Sequence, residues 1–306
     1  LTWPFDQIIT RAMKFSNPTR GTATLIGLSA VLMWGLLAVL SSLVPEVPSF
    51  QLTAMALLIG GCLGAASWLF RPGAASSLRQ PWPVWLLGIY GIFGYHFAYF
   101  TALRLAPPVE ANLVNYLWPL LIVLFSALLP GEKLKPRHVA GAAMGFAGAA
   151  LIVAGNGLDL RFEHVAGYAM ALLCAVIWSS YSVGSRRYKA VPTDMVVGFC
   201  LAGAVLAGLC HLAFETTQWP SYATGWLAIA ALGLLPTGLA FYVWDIGVKN
   251  GDIQVLGAAA YATPVISTVL LIVAGKGSFT IIVALALALV TIGAWVASRE
   301  ERKSTG

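Results

Sequence analysis

Tyr95 and Tyr99 stand four residues apart, and Asn112, Asn115, Tyr116, Trp118 and Pro119 follow within one short stretch. On helices the two tyrosines share a face, while Asn112, Asn115, Tyr116 and Pro119 recur at i, i+3, i+4 and i+7 on another. Trp118 lies on the flank of that stripe. Around the turn near 105–107, Tyr99 and Asn112 lie at similar distances on either side, and Tyr95 and Asn115 lie further out in the same way. In an antiparallel helical pair rising about 1.5 Å per residue, each pair shares a level. Amides are costly in hydrocarbon unless hydrogen-bonded, so Asn112 and Asn115 must face protein or water. Amides, phenols and an indole at one depth suit a small polar molecule with an apolar or aromatic body. The same groups also serve as packing, with the amides bridging helices.

Other polar groups are sparse. His96, beside Tyr95, is suited to meeting a carboxylate or titrating near neutrality, or to a hydrogen-bonded structural role. Asp245 stands one turn before Lys249, which favours a local ion pair, and Glu110 falls in a first helical turn, where the helix dipole favours negative charge. His96, Asp245 and Glu110 are the candidates for proton exchange and any coupling to it, although no carboxylate sits clearly at mid-span. His211 and Glu215 form a further i, i+4 pair. No HExxH, carboxylate pair or Ser/His/Asp set appears at catalytic spacing, so an intramembrane enzyme is disfavoured. Cys62, Cys174, Cys200 and Cys210 match no zinc spacing, and no metal or cofactor is expected.

The elements that position these groups follow from composition. Residues of the hydrophobic class make up 59% of the chain and charged residues 10%, and mean hydropathy is +0.82. A soluble domain carries about 25% charged residues. Runs long enough to cross about 30 Å of hydrocarbon as helices fall near 22–43, 49–70, 82–103, 108–129, 136–156, 164–185, 192–214, 222–247, 252–274 and 278–298. The first 20 residues are too polar for a signal-peptide core. Trp68, Trp82, Trp85, Trp219 and Trp226 lie near helix ends, as interfacial anchors do. The small residues of 141–150 and 198–208 suit close helix packing.

The net charge of +6 is a matter of topology rather than of a nucleic-acid partner. With the N-terminus in the cytoplasm, the inner segments carry Arg11, Lys14, Arg20, Arg71, Arg79, Lys133, Lys135, Arg137, Arg186, Arg187, Lys189, Lys249, Arg299, Arg302 and Lys303. The outer ones carry Arg104, Arg161 and Lys276, a bias of 15 to 3 that places both termini inside.

Ten spans divide into two related fives. Residues 30–34, ending at Trp34, match 174–178, ending at Trp178, at an offset of 144. Tyr116 and Pro119 match Tyr261 and Pro264 at 145, as Gly148-Ala149 matches Gly293-Ala294. An odd number of spans per copy inserts the second copy upside down, the arrangement of secondary transporters with a site between the halves near mid-membrane. The fold expected is an all-α polytopic membrane protein, with ten transmembrane helices in two inverted five-helix repeats around a central cavity. Its parts are a tail over 1–21, repeats over 22–156 and 164–298 divided at the loop from Asn156 to Glu163, and a tail over 299–306. Trp34 and Trp178 would flank the cavity across the pseudo-two-fold axis. Gly257 and Ala260 replace the amides in the second half, so the polar lining is lopsided.

The stretch Gly94-Tyr95-His96-Phe97-Ala98-Tyr99-Phe100 and the core ALRLAPPVEANLVNYLWPLLIVLFSALLPGEKL over 102–134 resemble the EamA-type repeat of the drug/metabolite transporter superfamily. The YHFAYF and EANLVNYLWPLLIVLFS segments are similar to the bacterial aromatic amino acid exporters of that superfamily. Gly275-Lys276 stands where the first half has Gly131-Glu132, a departure from the pattern. The resemblance implies export of amino acids, aromatic ones included, across the inner membrane by alternating access. It also implies a cavity among the first, third, fourth, sixth, eighth and ninth spans, involving Tyr95, His96, Tyr99, Asn115, Tyr116 and Trp118. Asn112, Asn115 and His96 would meet the amino and carboxylate groups, and Tyr95, Tyr99, Tyr116, Trp34, Trp118 and Trp178 would hold the side chain. A broader metabolite or drug exporter of the same fold is the alternative, since a weakly charged aromatic cavity also suits lipophilic cations. A fluorescent protein attached beyond Arg299 is expected to fluoresce and alkaline phosphatase there to be inactive; active phosphatase would reverse the orientation.

Overall fold

A computed structural model describes residues 18–154, 161–275 and 278–299. Regular structure among these residues is helical throughout. Ten stretches are long and apolar enough to span a membrane: α1 (Arg20–Ser41), α2 (Ser49–Phe70), α3 (Trp82–Leu105), α4 (Pro108–Ser126), α5 (Pro136–Ala154), α6 (Phe162–Arg187), α7 (Met195–Phe214), α8 (Ala223–Asn250), α9 (Ile253–Val273) and α10 (Ile281–Ser298). Arg11, Lys14, Lys276, Arg302 and Lys303 lie outside the described residues, as do most of both tails and most of the 156–163 connection.

The helix boundaries have local causes. Thr19, Asp252 and Thr280 cap α1, α9 and α10 by accepting hydrogen bonds from backbone N–H groups of the first turn. Pro107 precedes α4 and Pro136 begins α5, positions where a missing N–H costs nothing. Gly131 and Gly275, 144 residues apart, end the turns after α4 and α9 at φ of +80° and +73°.

Interruptions inside the helices repeat at the same spacing. α3 contains a π-helical turn at Tyr90–Gly94, and α8 contains one at Leu235–Leu239, 145 residues later. α4 breaks between Asn115 and Trp118, and α9 breaks between Ala259 and Ala262. Pro119 and Pro264 stand just after these breaks and cannot donate to the carbonyl four residues back.

The halves run in opposite directions. Arg20, opening α1, reaches Asp252 ahead of α9 and Glu132 beyond α4, and Glu132 also pairs with Arg186 near the end of α6. α1 therefore starts where α6 finishes, and α4 finishes where α9 starts. Large apolar residues such as Leu25, Leu212 and Leu285 are exposed on the outer surface, as a bilayer requires. Trp82, Trp219 and Trp226 are exposed near helix ends, with Trp219 stacked on Trp226.

Backbones of the two halves cross at glycines. A Cβ on Gly27 of α1 would lie 2.9 Å from the Gly247 Cα of α8, and one on Gly60 of α2 would lie 2.8 Å from the Gly238 Cα. Gly141 of α5 and Gly293 of α10 each leave no room against the other's carbonyl oxygen. Gly141→Val should therefore cost about 1–3 kcal/mol of stability. Gly208→Ala, whose Cβ would meet nothing within 4 Å, should melt as wild type does in detergent.

Candidate functional site

The site is built where the helices are irregular. The wide turn of α3 frees the Ile92 carbonyl, and His96 Nδ1 lies 2.7 Å from it. A carbonyl only accepts, so the ring carries its proton on Nδ1, and in the neutral form Nε2 is an acceptor. The matching turn of α8 offers the Pro236 carbonyl, to which Trp34 donates its indole N–H at 3.1 Å. At the break of α4, the Leu120 N–H turns to the Tyr261 hydroxyl at 3.1 Å, so the second half props the first open. An unpaired backbone group would cost several kcal/mol in hydrocarbon, which fixes these rings in place.

The antiparallel pair α3 and α4 presents the ladder that the spacing predicts. Tyr99 donates its hydroxyl to Asn112 Oδ1 at 2.8 Å, and Asn115 Nδ2 donates to the Tyr95 hydroxyl at 3.2 Å. The two phenol rings are parallel within 5°, with centroids 6.0 Å apart. Tyr95, Tyr99, Asn112 and Tyr116 are half-buried, whereas Asn115 is 4% exposed. Its Oδ1 is buried without a hydrogen-bond partner. An acceptor left open in this way is costly unless something donates to it.

Beneath the ladder, Trp34, Trp118, Trp178 and Trp244 from α1, α4, α6 and α8 meet in one group. Every pair of their ring centroids lies within 6.4 Å, and the Trp34–Trp244 pair is closest at 5.0 Å. Trp178 joins this group to the ladder, 5.4 Å from Tyr95, and Trp244 donates its N–H to Ser182 Oγ at 3.1 Å. All four indoles are buried. Trp34 and Trp178, which the sequence offers either as flanks of a cavity across the pseudo-two-fold axis or as packing, touch each other at 5.6 Å. The reason is symmetry: equivalent residues of inverted copies come together at the axis that relates them. His96 and Phe241, 145 residues apart, also meet there at 6.4 Å. The seam is filled at this level, where the four indoles belong to the main hydrophobic core.

Trp244 was not singled out from the sequence. It is the counterpart of Tyr99 at the same offset of 145, so extending the repeat alignment through α3 and α8 would have found it. Asp245 does not join the site: it accepts from Lys249 at 2.8 Å and from Thr193 at 2.7 Å, and Lys249 also donates to the Val191 carbonyl at 2.9 Å. This buried group ties α8 to the connection between α6 and α7. Glu110 is buried in the first turn of α4, two residues before Asn112.

Charge closes the two ends differently. At the end rich in basic residues, Arg186 pairs with Glu132 and donates to the carbonyls of Val248 at 2.9 Å and Gly251 at 2.8 Å. Arg20 bridges Glu132 and Asp252, so α1, α6 and the connections after α4 and α8 are tied together. At the other end Glu215 accepts from the Phe50 and Gln51 N–H groups, Arg104 and His211, which joins α2, α3 and α7 at the periphery.

Comparison with known proteins fits this architecture. Two stretches, 21–154 and 165–299, match the EamA-like transporter family. "Aromatic amino acid exporter YddG" of Ancylobacter novellus is 55% identical over 93% of this chain and 100% of its own length. Its namesakes in Salmonella typhimurium and Escherichia coli are 30% and 26% identical, each over 82% of this chain and 88% of the relative. A crystal structure of a protein 55% identical superposes with a TM-score of 0.89, covering 92% of this chain and 97% of that one. The chain belongs to the EamA-like transporter family.

Proposed function

We propose that the protein exports amino acids, aromatic ones among them, from the cytoplasm across the bacterial inner membrane, with both termini inside. The halves 22–156 and 164–298 rock about the indole group, and the site is reached alternately from each side. On this reading the ion pairs of Arg20 and Arg186 with Glu132 hold the cytoplasmic, basic end together. The names of the relatives that match along most of the chain support the substrate class.

The observation that carries this reading is the open acceptor on Asn115, held against parallel phenol rings. A substrate ammonium donates to Asn115 Oδ1, and an aromatic side chain lies among Tyr95, Tyr99, Tyr116 and the indole of Trp178. Ring faces add about 0.5–2 kcal/mol for a desolvated cation. Asn112 is held by Tyr99 and sets the ladder's geometry. His96, with Nδ1 engaged, keeps the wide turn of α3 in place and faces the site with Nε2. His96 is therefore the strongest of the three coupling candidates, since Asp245 is bound up in its ion pair and Glu110 lies beyond the ladder.

Aromatic lining with few charges also favours lipophilic cations, so a broad metabolite or drug exporter is the second reading, and a substrate panel separates the two. The decisive assay is counterflow of labelled phenylalanine in proteoliposomes. Asn115→Leu removes a charge-assisted hydrogen bond of about 1.5–3 kcal/mol, so its apparent affinity should fall about 10- to 100-fold with the fold intact. Wild-type counterflow in that variant would refute the site. Transport of lipophilic cations without any counterflow of amino acids would favour the second reading.

A further inference from the structure

A cavity of about 370 Å³ lies at the basic end of the bundle, well away from the ladder. It is lined by Leu129 and Pro130 after α4, Arg186, Arg187 and Lys189 at the end of α6, and Lys249 of α8. Such a volume falls in the range of small-molecule pockets. Four cations meet there, and two are already neutralised: Arg186 by Glu132, Lys249 by Asp245. Arg187 makes one long hydrogen bond, 3.4 Å, to the Leu128 carbonyl, and among the described residues neither it nor Lys189 pairs with an acid. Both are exposed, and both border the same open hollow beside Arg186.

The ladder meets one substrate group with neutral donors alone. For a carboxylate it has the Asn112 Nδ2 amide and tyrosine hydroxyls, but no Lys or Arg lies among its residues. Neutral His96 presents an acceptor on Nε2, which a carboxylate cannot use. A carboxylate that meets only neutral donors is weakly distinguished from a capped one, because charge-assisted hydrogen bonds are the stronger kind. The hollow supplies the missing positive charge on the face from which an exporter loads. The side chain already held at its wall is a carboxylate, that of Glu132 on Arg186.

We propose that this cavity is a loading site that captures the substrate's carboxylate from the cytoplasm through Arg187 and Lys189, beside Arg186. It rests on the export direction given above. It makes selection for amino acids a two-step process: carboxylate first at the basic end, ammonium and side chain afterwards at the ladder. Because a carboxylate and a lipid phosphate share the chemistry that cations recognise, the test must separate them.

The full chain is reconstituted in phosphatidylcholine vesicles, and labelled phenylalanine counterflow is competed from the basic face with unlabelled phenylalanine or phenylalaninamide. The double variant Arg187→Gln/Lys189→Gln should need about tenfold more phenylalanine for half-competition, with the maximal rate within about twofold of wild type. Phenylalaninamide, whose carboxyl is capped, should compete equally well with both proteins. The charge-preserving exchange Arg187→Lys/Lys189→Arg should restore phenylalanine competition. Unchanged phenylalanine competition, or an equal loss for both competitors, overturns the loading site while leaving the exporter reading intact. A defect that appears only when phosphatidylglycerol is added to the vesicles assigns the cavity to lipid headgroups and also overturns it. Wild-type protein that shows no phenylalanine counterflow overturns the exporter reading and the loading site together.

Discussion

Inside hydrocarbon, a backbone carbonyl or N–H released from the helical ladder must find a partner within the protein. Interruptions in α3, α4, α8 and α9 create that demand, and the partners recruited include side chains of the candidate site. The freed Ile92 carbonyl holds His96, the freed Pro236 carbonyl holds Trp34, and the Tyr261 hydroxyl holds the Leu120 N–H at the break that separates Asn115 from Trp118. Regular helices in the same places would leave these rings without a fixed orientation. The irregular backbone is thus the frame of the site, and the aromatic side chains are what make it tolerable in lipid.

Much of this was open to reading in the amino-acid order. Helix rise and antiparallel geometry alone pair Tyr99 with Asn112 and Tyr95 with Asn115, because the intervening turn is short and both spans are apolar enough to be placed. The i, i+4 spacing of Asp245 and Lys249 likewise gives their ion pair. The π-helical turns were not legible: hydropathy averages over a window longer than the one extra residue that makes them. The packing of four indoles was out of reach for a different cause, since it depends on where the axis between the halves passes. Trp244 stood in the sequence as the partner of Tyr99, but the match is one of position rather than of residue type.

The inverted repeat gives the molecule two copies of one shape, and the charges break that equivalence. Glu132 joins Arg20 and Arg186 at one end, whereas the loop after α9 replaces the matching Gly-Glu pair with Gly275-Lys276. Glycine crossings hold the halves together with backbone against backbone, a surface that permits tilt without opening a void. On the exporter reading, two arrangements of the halves share this shape, and the ion pairs of Glu132 belong to the one with the basic end shut.

The uneven distribution of amides has its own outcome. In an exporter whose halves exchange shapes, as proposed above, the second half takes up the form of the first, and the positions matching Asn112 and Asn115 are then Gly257 and Ala260. What was a hydrogen-bonding shelf on one side of the axis has only aliphatic surface as its mirror image. On the exporter reading, grip on a polar solute is therefore unequal in the two poses, and loading and release differ between the two faces because two side chains were never duplicated.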